Sequence, residues 1–177
     1  MYRVCLLLVL VTAVPLAVPA RAQTAIYLDF SAANPENWIY GATLGAYHER
    51  GHLFFFKTGL DLRGSFLGNG SSEYNPYIFG VTAGPRFAYH PRVVPLTPYL
   101  EALAGVGRVK NGTPVSTRFE YQIVGGLDLT ILPRLDWRVF DWAYTGYPGL
   151  SVGDPYPGYD SGYAPRILST GLVLRLP

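Results

Sequence analysis

Residues 119–131 read FEYQIVGGLDLTI: Phe119, Tyr121, Ile123, Leu127, Leu129 and Ile131 occupy one parity, and Glu120, Gln122, Asp128 and Thr130 occupy the other. A repeat of two is that of a β-strand with one oily and one polar face. Seven further segments share the pattern: AIYLDFS (25–31), WIYGATLGAYH (38–48), LFFFKTGLDLRG (53–64), YIFGVTAGPRFAY (77–89), PYLEALAGVGRV (98–109), LDWRVFDWAYT (135–145) and RILSTGLVLRL (166–176). They exceed the ~5 to 6 residues of ordinary strands. They match the ~9 to 11 that a tilted strand needs to cross a bilayer. The chain is rich in Tyr, Phe, Gly and Leu and only 15% charged, with no helix-period segment, so the fold class is all-β.

The start of the chain points to export. Arg3 precedes an apolar run over 4–18, broken by Thr12 and Pro15, and Ala20-Arg21-Ala22 is the small-x-small pattern that signal peptidase accepts. Residues 1–22 are therefore expected to be a cleaved signal peptide and 23–177 a single barrel domain. An uncleaved anchor is disfavoured because the run falls short of the ~20 apolar residues of a spanning helix and holds a proline. Cys5 is the only cysteine, so the exported chain would have no thiol, which excludes disulfides and cysteine metal sites. Without Arg3 and Arg21 the 14 Lys+Arg fall to the same number as the 12 Asp+Glu. A neutral chain gives no reason to expect a nucleic-acid partner.

Parity within the segments decides what the oily face meets. Phe54, Phe56, Leu60 and Leu62 oppose Lys57, Asp61 and Arg63, while Phe79, Val81, Ala83 and Phe87 oppose Thr82 and Arg86. Leu100, Ala102, Ala104 and Val106 likewise oppose Glu101, and Leu168, Leu172, Leu174 and Leu176 oppose Ser169 and Arg175. A soluble sandwich buries its apolar face, whereas a membrane barrel turns it outward around a polar lumen. The connections ERGH (49–52), HPRVVPLT (90–97) and LPR (132–134) are short turns, and those at 65–76, 110–117 and 146–165 are long. Only AANPEN (32–37) breaks this alternation by being short. Short turns and both termini then share one side, as in barrels with periplasmic turns and outer loops.

With these features the chain resembles the small eight-stranded outer-membrane β-barrels, those like outer-membrane protein A and the porin-family β-barrel domains, over about 25–176. The most specific element is STGLVLRL (169–176), where Gly171, Leu174 and Leu176 follow the closing pattern of that family; its terminal aromatic is not present. The resemblance implies an eight-stranded antiparallel transmembrane β-barrel with up-and-down order in the bacterial outer membrane. Its partners would be outer-membrane lipids, the barrel assembly machinery during insertion, and an extracellular partner of the long loops. No cofactor is implied.

Inside such a ring the inward charges are Lys57, Asp61, Arg63, Arg86, Glu101, Glu120, Asp128, Asp136, Arg138 and Arg175, nearly balanced in sign. They read as pairs plugging the lumen, since an unpaired charge there is costly; an ion path is the alternative. Glycines such as Gly41, Gly45, Gly59 and Gly126 mostly share the inward parity and relieve crowding. Asp141 breaks the alternation, and a bulge near Phe140 would turn it inward. Trp38, Trp137 and Trp142 suit aromatic belts. Tyr147, Asp154, Tyr156, Tyr159, Asp160 and Tyr163 form a loop composition suited to contacts with proteins or sugars, without the ligand set of a calcium loop. The sequons at 69–71 and 111–113 read as turn residues. His48, His52 and His90 fall at the short turns and supply no nucleophile–base pair of the lipid-deacylase kind, so no enzyme activity is expected. A secreted lipocalin-like barrel is a further alternative, and it would require an apolar interior.

Overall fold

The computed structural model describes residues 23–34, 38–69, 76–91, 93–110, 116–148 and 164–177. Eight strands follow in chain order: β1 (Gln23–Ala33), β2 (Ile39–Leu53), β3 (Phe56–Gly68), β4 (Tyr77–Tyr89), β5 (Leu96–Lys110), β6 (Ser116–Leu132), β7 (Leu135–Gly146) and β8 (Arg166–Arg175). Each pairs antiparallel with the next, and β8 pairs with β1, so the expected up-and-down eight-stranded barrel is what the chain forms. Closure leaves no sheet edge with unpaired backbone groups.

The ladder fixes the barrel's dimensions. A path through paired residues runs Glu49, Gly59, Arg86, Glu101, Val124, Ala143, Ile167, Ala33 and back to β2 at Ile39, ten residues from its start. That stagger tilts the strands and brings inward side chains of distant pairs to one level.

Strand bounds follow the alternation at β4 and depart from it at the β2–β3 hairpin. ERGH is no turn: Gly51, His52 and Leu53 pair with Thr58, Lys57 and Phe56, and the chain reverses at Phe54 and Phe55. A bulge between Glu49 and Gly51 takes up Arg50, and Phe54 has a φ of 55°. The reason is local: the run LFFF prolongs strand character past the charged residues that suggest a turn. The β4–β5 and β6–β7 turns begin and end at the same end as Phe54 and the barrel's termini, and the strand ends Ala33, Ile39, Gly68, Tyr77, Lys110, Ser116, Gly146 and Arg166 lie at the opposite end.

The two faces are sharply sorted. Outward stand Leu28 (59% exposed), Leu44 (60%), Leu60 (67%), Phe66 (59%) and Leu100 (62%), with many more apolar side chains around the ring. Inward and buried are Arg63, Arg86, Arg138 and a set of carboxylates, tyrosines and small hydroxyl residues.

Candidate functional site

Three guanidiniums organise the turn-side half of the lumen. Arg63, on β3, grips Asp141 with both terminal nitrogens at 2.9 and 2.7 Å and donates to Glu101 at 3.0 Å. Arg86, on β4, bonds Glu101, Glu49 at 3.1 Å and Asp128 at 3.3 Å. Arg138, on β7, reaches Asp128 and Asp29, each at 3.0 Å. Glu101 thus bridges Arg63 to Arg86, Asp128 bridges Arg86 to Arg138, and the three cations form one network. Charge-assisted bonds of this kind are the strong class of hydrogen bonds, and low local dielectric strengthens them further.

Tyrosines fill the space between the charges. The Arg86 guanidinium lies 4.1 Å from the Tyr47 ring centre and 3.9 Å from that of Tyr99, and Arg138 stands 4.1 Å from Tyr27. Aromatic faces attract such cations while occupying volume that water would otherwise take. The phenols also donate, Tyr27 to Asp61 at 2.9 Å and Tyr99 to Asp141 at 2.7 Å. Gly45 and Gly126 make room for these rings, since a Cβ at either would strike Tyr27 or Tyr99.

The bulge in β7 accounts for Asp141. The register with β8 steps from Arg138 to Asp141 opposite Gly171 and Ser169, which leaves one residue extra. Val139 and Phe140 absorb it, Phe140 remains exposed, and Asp141 is fully buried. The inward acids also include Asp29 and Glu49, which the sequence reading omits from the lumen. Asp29 shares the parity of Tyr27 and Ser31, so the signal for it was present; Glu49 was hidden by the misplaced turn. The near balance of sign is therefore corrected: Asp29, Glu49 and Asp141 add three acids and no base.

Four of the expected residues stand apart from the arginine network. Arg175 bonds Asp136 at 2.6 Å and Thr130 at 2.8 Å near the turn-side mouth, and Lys57, half-buried, reaches Gln23 at 3.4 Å. Glu120 sits in the loop-side half, held by Gln122 at 2.6 Å and by Tyr147, in a space that Gly80 and Gly107 leave open. Tyr147 is 1% exposed, so its assignment as a loop contact is corrected: the ring is drawn into the lumen. Asp154, Tyr156, Tyr159, Asp160 and Tyr163 lie outside the described residues, as do 1–22, all of the sequon at 111–113 and all but Asn69 of that at 69–71.

Two layers above the ions were not foreseen. Ser169, Ser31, Thr43 and Ser65 form a hydroxyl chain at 2.8, 2.7 and 3.1 Å across four adjacent strands. Nearer the loops, Ala33, Ile39, Leu67, Ile78, Val109, Tyr147 and Ile167 belong to one buried apolar cluster. Parity identifies the inward face but not the level at which a residue stands.

The histidines are dispersed: His48 meets Thr24 at 2.8 Å, His90 meets Glu49 at 3.0 Å, and His52 is exposed. Among the described residues no group of three or more His, Cys, Asp or Glu is arranged to hold a metal ion. Charge is segregated as strictly as hydrophobicity. Among the described residues every Asp and Glu is buried, and the exposed charged side chains are Arg50, Arg108, Arg118, Arg134 and Arg166.

No protein-family model matches the chain, and no curated protein matches it. Solved structures do resemble it. Neisserial surface protein A (NspA) superposes with a TM-score of 0.57 at 13% identity, covering 90% of this chain and 100% of that one. The N-terminal β-barrel domain of Pseudomonas aeruginosa OprF gives 0.51 at 14% identity, covering 88% of this chain and 100% of that one. Both are small eight-stranded outer-membrane barrels, and the chain has their fold. At such identity the likeness speaks for fold alone.

Proposed function

We propose that the chain is an integral protein of the bacterial outer membrane, exported with loss of residues 1–22, with a lumen plugged by paired charges and a structural or surface-interaction role carried by its outer loops. The observation that carries this reading is the inverted polarity of the barrel, with Leu28, Leu44, Leu60 and Phe66 outside and Arg63, Arg86 and Arg138 inside. In water such an apolar band would far exceed the few hundred Å² that soluble monomers expose. In lipid it is the required surface, and the closed ladder satisfies backbone groups that lipid cannot.

Plugging is supported by the packing of the interior. Eight strands leave room for little beyond side chains, and here the tyrosine-sandwiched arginines and the apolar cluster of Ile39, Leu67 and Ile78 lie one above the other. A lipocalin-like role is disfavoured by the buried ions, because a cavity for an apolar ligand is lined with apolar groups. A catalytic role is disfavoured too: Thr24 and His48 are in contact, but no carboxylate bonds the His48 ring among the described residues. The loop residues Asp154, Tyr156, Tyr159, Asp160 and Tyr163 remain candidates for an extracellular partner. Outer-membrane lipids and the assembly machinery complete the partners this reading requires.

The test is differential mobility. Unboiled protein in mild detergent should migrate differently from boiled protein on a denaturing gel and should precipitate when detergent is removed. Identical mobility together with solubility in plain buffer would replace the membrane reading with the soluble one. Deleting 149–163, which spares Gly146 and the buried Tyr147, should abolish surface binding while leaving the gel shift intact.

A further inference from the structure

The turn end of the barrel finishes in oil. The β2–β3 tip carries Leu53, Phe54, Phe55 and Phe56, with Phe54 90% and Phe55 81% exposed. The β4–β5 connection presents Val93 at 93% exposure with Val94 beside it, and the β6–β7 turn is flanked by exposed Ile131 and Leu132. Two-residue hairpins normally place Asn, Asp or Gly where φ is positive. Here Phe54 takes that position with φ 55°. A bulky residue adopts it only under strain, and a strained residue that a glycine could replace is informative about function.

Three further observations identify what covers these side chains. The apolar tips belong to three separate hairpins and are distributed around the rim, with the termini in the remaining sector. A single protein partner would call for one patch, whereas a ring suits a medium that surrounds the barrel. The β2–β3 tip also leads into the outward column of Leu60, Leu62 and Phe66, with Thr58 the one polar residue between them on that face of β3. The exposed charges beside the tips, Arg50 and Arg134, are basic, and no Asp or Glu is exposed among the described residues.

We propose that the turn end is a lipid-binding surface. The Phe54–Phe55 tip, with Val93, Val94, Ile131 and Leu132, inserts into the adjoining phospholipid leaflet, and Arg50 and Arg134 reach its phosphates. The aromatic tip thereby anchors the barrel's depth, as belts of aromatic residues do at membrane interfaces. This rests on the membrane reading above, and its test separates the two.

In full-length protein carrying Cys5→Ser, single cysteines are introduced at Phe54, Val93 and Leu62, spin-labelled, and reconstituted into phosphatidylcholine–phosphatidylglycerol vesicles. Collisions with oxygen, which partitions into lipid, are compared with those of a water-soluble nickel chelate. The expected result is oxygen-dominated relaxation at all three positions. Nickel-dominated relaxation at 54 and 93, with oxygen dominating at 62, overturns the insertion of the tips and leaves the membrane reading standing. Nickel access at 62 overturns the membrane reading itself. Labels at 54 and 93 shielded from both reagents mean that protein covers the tips, which also overturns the proposal.

Discussion

Arg86 and Glu101 are bonded to one another inside the lumen, yet removing one should cost far more than removing the other. Six carboxylates, those of Asp29, Glu49, Asp61, Glu101, Asp128 and Asp141, surround only three guanidiniums, and every one of these groups is at most 2% exposed. Arg86→Met keeps the volume but deletes the bonds to Glu49, Glu101 and Asp128 and the cation between Tyr47 and Tyr99. It deepens the negative excess, and breaking a buried ionic group this way costs about 3 to 5 kcal/mol. Glu101→Gln is different. Arg63 retains Asp141 at 2.7 Å, Arg86 retains Glu49 at 3.1 Å, and the excess of negative charge falls. The loss should resemble one weakened charge-assisted bond, about 1 to 3 kcal/mol. Equilibrium urea unfolding of both variants from lipid vesicles, followed by tryptophan fluorescence, measures the difference. Equal losses, or a larger one for Glu101→Gln, would refute the claim that net charge governs the lumen.

Other outcomes follow from single contacts. Gly41→Ala puts a Cβ against the Phe66 carbonyl, while at Gly64 the nearest atom is 3.8 Å away on the outward face. Thermal scans should therefore show Gly41→Ala destabilised by about 1 to 3 kcal/mol and Gly64→Ala changed by no more than about 0.5 kcal/mol. Deleting Phe140 removes the extra residue of the β7 bulge, leaves one residue between Arg138 and Asp141, and so keeps Asp141 inward toward Arg63 and Tyr99. That variant should keep its heat-modifiable band; loss of the band would mean that the bulge does more than set the facing of Asp141. Mass spectrometry of envelope protein should find a chain starting at Gln23, and an intact Met1 terminus would contradict the export reading.

What the sequence disclosed, and what it withheld, follows from the physics of a closed sheet. A period of two is local, so β4 and the inward parity of Asp61, Arg63 and Arg86 were legible from neighbouring residues alone. The break at Asp141 was legible for the same reason, because one bulge is enough to explain one displaced charge. Turn position was less accessible: in LFFFK nothing marks the reversal, since Phe54 occupies a conformation that its type disfavours. The network's connectivity was out of reach. That Arg138 meets Asp29, across 109 positions of sequence, depends on the ten-residue stagger of the whole ring. The same stagger decides that Ile39, Leu67 and Ile78 share one level, and so the apolar layer could not be read from alternation.

The central claim, an oily barrel around a closed interior, is tested most directly by electrical recording from planar bilayers. Purified full-length barrel, folded by the gel criterion, should insert and show no steady conductance. Stable ion-conducting steps whose cation–anion selectivity changes in Glu101→Gln would contradict it, since current would then run past the arginines that are proposed to fill the lumen.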